Sequence, residues 1–258
     1  MATNRNITMR TALVTGGSRN IGKLSALAIA AKGVDVIITY NEKADLAAET
    51  VKEIEALGVK ATALQVNFTD SKNIPALVES VKTTLASWGK TGLDILINNA
   101  GTLRLGMFDS LSMDDLDAVY NTNYKSVFYL TQQLLPILNN DGRIVNLGSG
   151  TAKIAFGPLV SYGPMKAALQ SLTLYLAAFL GPKGITVNAV APGGLDDDFN
   201  ALLFDHVFPP AREYIKSNTA VGRIGMPTDI AGVIAFLTSP EASFISGAVL
   251  PVDGGYHL

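Results

Sequence analysis

The chain has 258 residues, a length that α/β folds often reach as one domain. Its apolar share supports a sizeable core, and charged residues are only 16%, so layers or partner subunits must cover much of the surface. A net charge of −2 gives no general electrostatic reason to bind nucleic acid or an anionic membrane. The lack of cysteine excludes disulfides, thiolate metal sites and a cysteine nucleophile. With only His206 and His257, a multi-histidine metal site is not expected. The N-terminal MATNRNITMRT is polar and lacks an apolar signal core. No apolar run approaches the roughly 20 residues needed to span a bilayer. A soluble, cytoplasmic protein is expected.

Residues 11–15, TALVT, read as a short buried strand. Gly16-Gly-Ser-Arg-Asn-Ile-Gly22 follows, and residues 23–32 are rich in Ala, Leu and Ile. Glycine lets the backbone turn tightly and approach a ligand, and a helix N-terminus offers N–H groups and a positive dipole end to a phosphate. The flanking strand and helix are the context that a phosphate-binding turn requires; the alternative is a glycine-rich turn without a ligand. Gly33 is a helix stop, and residues 34–39 form a second strand, completing βαβ. An acid at the end of this strand commonly binds the adenosine ribose and repels a 2′-phosphate. Position 40 is Tyr40, followed by Asn41, Glu42 and Lys43, and Arg19 adds positive charge nearby. That favours NADP(H) over NAD(H). Glu42 argues against it, and Arg19 and Lys43 can instead be plain surface charges.

Residues 44–57 have helical spacing and stop at Gly58, and 61–66 form a third strand. Thr69, Asp70 or Ser71 can cap a helix running to Trp88. Residues 93–97 are a fourth strand ending in Asn98-Asn-Ala-Gly101, either a turn or a set of groups held against a cofactor at the carboxyl edge of the sheet. Residues 112–138 read as a long helical stretch broken near Pro136, and 139–142, NNDG, as a turn. A fifth strand, 143–147, leads into Gly148-Ser149-Gly150. A helix over 161–180 follows, apolar nearly all round in 167–180, which suggests burial against both the sheet and another subunit, or under its own loops. Gly184 precedes a sixth strand, 185–190, then Ala191-Pro-Gly-Gly194. Residues 195–218 lack a single period and carry Phe199, Leu202, Leu203, Phe204, Val207 and Phe208. So long and apolar a loop is read as an active-site lid, with an interface segment as the alternative. Pro227 and Thr228 open a last helix to about 239, and 248–252 are a seventh strand. Strands alternating with helices give one doubly wound parallel sheet with right-handed crossovers.

Tyr162 and Lys166 lie four apart, on one face of the helix over 161–180. A phenol normally holds its proton until about pH 10. An adjacent ammonium stabilises the phenolate and lowers that pKa, so a tyrosine tuned this way can exchange a proton with a substrate oxygen near neutral pH. Alone, such a pair is usually an ordinary surface pair.

Taken together, Thr15-Gly-Gly-Ser-Arg-Asn-Ile-Gly22, Asn98-Asn-Ala-Gly101, Ser149, Tyr162-x-x-x-Lys166, Ala191-Pro-Gly193 and Asp253-Gly-Gly255 resemble the short-chain dehydrogenase/reductase family, in its order and over nearly the whole chain. The resemblance implies a single Rossmann-type α/β domain, a doubly wound seven-stranded parallel sheet of order 3-2-1-4-5-6-7. It implies hydride transfer between a nicotinamide and a ketone or secondary alcohol. Tyr162 is then the general acid or base, Lys166 its electrostatic helper on the nicotinamide ribose, and Ser149 the hydroxyl that orients the carbonyl. Asn123 is then the asparagine holding a water in the proton relay, with Asn121 a structural amide. Cofactor contacts are expected from Gly16, Ser18, Arg19, Asn20, Ile21 and Gly22; from Tyr40, Asn41 and Lys43; from Asn67 and Phe68; and from Asn99, Ala100 and Gly101. Pro192, Gly193 and Leu195 complete them, with Tyr162 and Lys166. No metal is expected.

Three positions depart from the family's pattern. Asn20 replaces the middle glycine of the turn, and asparagine tolerates a left-handed backbone better than most residues. Asn67 replaces an aspartate near adenine. Asp197 stands where a threonine often touches the cofactor, and Asp196, Asp197 and Asp198 are expected to point to solvent. Pro164 is acceptable only in the first turn of its helix. The chain most resembles the 3-oxoacyl-carrier-protein reductases, and the apolar lid favours an acyl or other hydrophobic ketone over a sugar. An NAD(H)-dependent sugar or polyol dehydrogenase, a non-catalytic nucleotide-binding regulator and a methyltransferase-like use of the glycine turn remain as alternatives. A homotetramer is implied, and the charge pattern gives no support for a carrier-protein partner.

Overall fold

A computed structural model of the chain describes residues 10–258. Residues 1–9, most of the polar stretch above, lie outside them. The strands are β1 (Thr11–Val14), β2 (Asp35–Tyr40), β3 (Ala61–Gln65), β4 (Leu93–Asn98), β5 (Leu138–Leu147), β6 (Thr186–Pro192) and β7 (Val249–Val252). They pair in parallel in the order β3-β2-β1-β4-β5-β6-β7, as expected. Parallel strands buried on both faces read as unbroken apolar runs, and β2 shows why. Val36 and Ile38 enter one core while Ile37 enters the other.

The helices are α1 (Asn20–Ala30), α2 (Ala44–Glu55), α3 (Ile74–Ser87), α4 (Met113–Tyr120), α5 (Ser126–Leu134), α6 (Tyr162–Leu180), α7 (Ala211–Ser217) and α8 (Pro227–Leu237). Ile29 of α1, Ile54 of α2 and Ile234 of α8 pack on one face of the sheet. Leu77 of α3, Leu130 of α5 and Leu180 of α6 pack on the other. Each such fully buried side chain is worth about 1.5–3 kcal/mol against exposure. On α6 the outer face leaves Leu174, Tyr175 and Phe179 exposed in the single chain.

Three stretches differ from the sequence expectation. The helical stretch over 112–138 does break near Pro136, in a 3-10 turn (Leu135–Ile137), but it also breaks earlier, in a π turn (Asn121–Lys125). Asn123 Nδ2 donates to Val119 O (3.0 Å) and to Thr102 O (2.8 Å), so a side chain inserts into the helical ladder. The NNDG turn at 139–142 lies inside β5 as an irregularity. The pairing with β4 steps from Leu93–Leu138 to Ile95–Arg143. Asp141 is left-handed there (φ 59°), and Asn139 Nδ2 reaches Asp94 Oδ1 at 2.8 Å. The stretch 195–218 is not plain loop: it contains a π turn (Leu203–Val207) and α7. Leu203, Phe204, Ala211 and Ile215 form a small core of their own. The chain end returns beneath it, with Thr219 bridging Tyr256 and Ala220 N donating to Gly255 O at 3.2 Å. Among the described residues no helix is long and apolar enough to cross a membrane.

Candidate active site

The strands' carboxyl ends open onto a cleft of about 760 Å³. Its first wall is the turn between β1 and α1. Gly16 takes φ 66°, and its N–H donates to Thr39 Oγ1 at 3.1 Å. A Cβ on Gly22 would lie 2.1 Å from Gly16 O, so only glycine lets the helix start this close to the strand. Asn20 is left-handed, φ 51°, and the turn survives the missing glycine in the way expected. Arg19 provides no side-chain cap for α1, and the first turn of α1 carries no acid. The N–H groups and the positive dipole end therefore face the cleft unneutralised, which fits the diphosphate of a dinucleotide.

Asn99 holds this turn in place. Its Nδ2 donates to Thr15 O (2.8 Å) and Gly16 O (3.0 Å). Thr15 Oγ1 in return accepts from Asn99 N and Ala100 N, both at 3.0 Å. Thr15, within the quoted motif but without an assigned role, is thus the hinge between the two loops. Behind them Asn98 Nδ2 donates to Asn146 Oδ1 (2.8 Å), and Asn146 Nδ2 to Thr173 Oγ1 (3.0 Å). These buried bonds tie β4, β5 and α6 together, which fixes the second wall.

That wall carries Ser149, Tyr162 and Lys166, all bordering the cleft. Tyr162 is the first residue of α6, and Pro164 lies in its first turn as expected. A Cβ on Gly163 would meet Thr151 O at 2.7 Å, so this glycine lets α6 seat against the turn after β5. Lys166 Nζ lies 5.4 Å from the centre of the Tyr162 ring and donates to Leu147 O at 2.6 Å. Ser149 Oγ and Thr151 Oγ1 are 2.8 Å apart and share a hydrogen bond. Asn123 does not border the cleft. It is fully buried behind it, and its Oδ1 has no hydrogen-bond partner. A Cβ on Gly101 would come 2.9 Å from that oxygen and 3.9 Å from Lys166 Nζ, so the space beside Gly101 joins the two.

The electrostatics correct one expectation. Burial, and after it the Asp197 carboxylate, push the Tyr162 phenol above its ordinary pKa rather than below it. Burial also brings the Lys166 ammonium down to about 7. In the protein alone, desolvation outweighs the stabilisation that the lysine would give a phenolate.

Each cofactor residue expected from the resemblance, from Gly16 to Leu195, borders the cleft. The three aspartates correct another expectation. Asp196 and Asp198 are exposed, but Asp197 is half-buried and borders the cleft. Arg19 is not free, since its Nη1 lies 3.5 Å from Asp198 Oδ2. The outer end of the cleft is lined by Phe199, Phe204 and Ile215, from the stretch 195–218 read as a lid, and by Phe156 and Tyr256, which carried no role from sequence. The Phe199 and Tyr162 rings stand 6.0 Å apart. Tyr256 directly follows the Asp253-Gly-Gly255 motif, the one signal that pointed near it. Among the described residues no group of three or more His, Asp or Glu is placed to hold a metal ion.

Residues 16–257 match a family model described as enoyl-(acyl carrier protein) reductase. A 3-oxoacyl-[acyl-carrier-protein] reductase of Staphylococcus aureus is 35% identical over 251 residues, covering 96% of this chain and 98% of the relative. A short-chain dehydrogenase of Burkholderia cenocepacia, solved in complex with NADP, is 40% identical, with a TM-score of 0.88 over 96% of this chain and 98% of that one. The angucycline C-6 ketoreductase LanV, solved with bound NADP, is 35% identical, with a TM-score of 0.90 over 96% and 95%. Likeness this deep and this complete means that the chain belongs to the short-chain dehydrogenase/reductase family.

Proposed function

We propose that this protein is an NADP(H)-dependent oxidoreductase that interconverts a hydrophobic ketone and its secondary alcohol. One observation carries the reading: Tyr162, Lys166 and Ser149 share one wall of the cleft that the glycine turn opens. When bound, the nicotinamide supplies or takes the hydride. The glycine turn and the start of α1 would hold the diphosphate, Lys166 would hold the adjoining ribose, and Ser149 is placed to donate to the substrate oxygen. In reduction the Tyr162 O–H gives its proton to that oxygen as the carbonyl carbon gains hydride. The phenol's raised pKa keeps this proton in place at neutral pH. The phenolate left behind recovers a proton from solvent by way of Lys166, with Asn123 holding the water between.

The missing acid at Tyr40, with Arg19 and Lys43 on the cleft, supports NADP(H), as do the NADP-bound relatives. The bond between Arg19 and Asp198 and the presence of Glu42 on the cleft favour NAD(H) as the second reading. Substrate class follows from the apolar outer end. Phe156, Phe199, Leu203, Phe204 and Ile215 suit a 3-oxoacyl thioester or a ring ketone, in keeping with the names of the Staphylococcus relative and LanV.

The test follows NADPH and NADH oxidation with a panel of ketones, for the native protein and Tyr162→Phe. Loss of a general acid lowers kcat by about 10²–10⁴-fold, while NADPH binding stays within about threefold. A Tyr162→Phe protein that keeps its turnover sinks the proposal. Turnover with NADH alone replaces the cofactor assignment.

A further inference from the structure

Three consecutive aspartates follow β6, and they do not share a fate. Asp196 is exposed and paired with Arg212 at 2.9 Å. Asp198 is exposed and paired with Arg19 at 3.5 Å. Asp197, between them, turns into the cleft and has no cation within ion-pair distance among the described residues. Its carboxylate is held in place, since Oδ1 accepts from Asn200 N at 3.0 Å and from Asn200 Nδ2 at 2.8 Å. Phe199, two residues on, meets the Tyr162 ring at a tilt of 52°. Among the described residues the one buried cation on the cleft is Lys166, whose Nζ donates to Leu147 O and forms no ion pair with Asp197. The other cations on the cleft, Arg19, Lys43 and Arg104, are all exposed to solvent. A half-buried negative charge is thus fixed on the cleft wall, close enough to act on the Tyr162 phenol, where solvent screens it less than on the open surface.

We propose that Asp197 is a charge filter for the substrate. It admits neutral ketones and turns away those that carry a carboxylate or phosphate close to the carbonyl. The proposal rests on the reading of Tyr162 as the residue that meets the carbonyl. Like charges brought together in such a site are strongly disfavoured.

The experiment compares a 4-oxo carboxylic acid with its own methyl ester, same carbon chain and same ketone, with NADPH at neutral pH. In the native protein kcat/KM for the ester exceeds that for the acid by at least about tenfold. Asp197→Asn keeps the bonds to Asn200, and the ratio falls at least about fivefold towards unity. Asp197→Ser gives the same fall should the amide be poorly tolerated. Asp196→Asn removes the same charge outside the cleft and leaves the ratio at its native value. An unchanged ratio in Asp197→Asn overturns the proposal, and so does an equal change in Asp196→Asn. Should neither ketone be reduced, the functional reading fails separately. The filter is then read from the dissociation constants of ester and acid for the NADP-loaded protein. Equal preference in native protein and Asp197→Asn overturns it there too.

Discussion

The two ends of the cleft are built from different materials. The end at the glycine turn is made of backbone from one βαβ unit: Gly16, Gly22 and the first N–H groups of α1, locked by Thr15 and by Asn99 from the end of β4. The outer end is made of side chains from segments far apart in sequence. They are Phe156 after β5, Phe199 and Phe204 after β6, and Tyr256 from the chain end. Its core, around Leu203, Phe204 and Ile215, is separate from the two large cores on the sheet. A backbone site recognises what all dinucleotides share. A side-chain site can change its substrate without disturbing the sheet.

That separation is open to direct attack. Phe204 is 2% exposed, and truncating a buried phenylalanine costs about 3–5 kcal/mol. Because its cluster is detached from the sheet, Phe204→Ala is expected to loosen the segment locally. KM for ketones then rises at least about tenfold, while the Kd for NADPH and the main thermal transition hardly move. Calorimetry beside steady-state kinetics reads both. A main transition lowered by the full amount would show that the outer end folds as one unit with the sheet, and the contrast would be lost.

The converse variant strikes the backbone end. In Gly22→Ala the new methyl would stand 2.1 Å from Gly16 O and 2.6 Å from Asn99 Nδ2, so the turn must open. Overpacking of this kind costs about 1–3 kcal/mol. The expected outcome is a lower Tm and weakened binding of NADPH and NADH alike, measured by titration of intrinsic fluorescence. Weakening of NADPH alone would mean that the methyl acts through Arg19 and the 2′-phosphate, and not on the diphosphate that both cofactors share.

The same division decides what the sequence reveals. Strands such as β2 and β4 are legible because burial on both faces leaves an unbroken apolar run. The glycine turn and the Tyr162–Lys166 spacing are legible because their chemistry is local. The π turn is not, because Asn123 breaks the helix by bonding Thr102, 21 residues away. The irregular start of β5 depends in the same way on Asn139 reaching Asp94. A run of three acids looks alike from end to end, and only the fold sends Asp196 to Arg212 and Asp197 inward. The Tyr162 pKa rises because the surrounding protein buries it, and no spacing within a helix encodes that.

The finest probe lies where the two ends touch. Arg19 belongs to the glycine turn and Asp198 to the outer segment, 179 residues apart, and their ion pair at 3.5 Å joins the halves. Both side chains are well exposed, so the pair is worth about 0.2–1 kcal/mol at most. A 2′-phosphate seeking Arg19 must displace Asp198 first, whereas a free ribose needs no such exchange. Asp198→Asn should therefore tighten NADPH binding by up to about fivefold and leave NADH as it was. The gain should shrink as salt rises and screens both interactions. Equal tightening for the two cofactors would point to Asp198 repelling the diphosphate that they share. Weaker NADPH binding would mean that the aspartate aims Arg19 at the phosphate, and the joint between the halves would then serve recognition instead of opposing it.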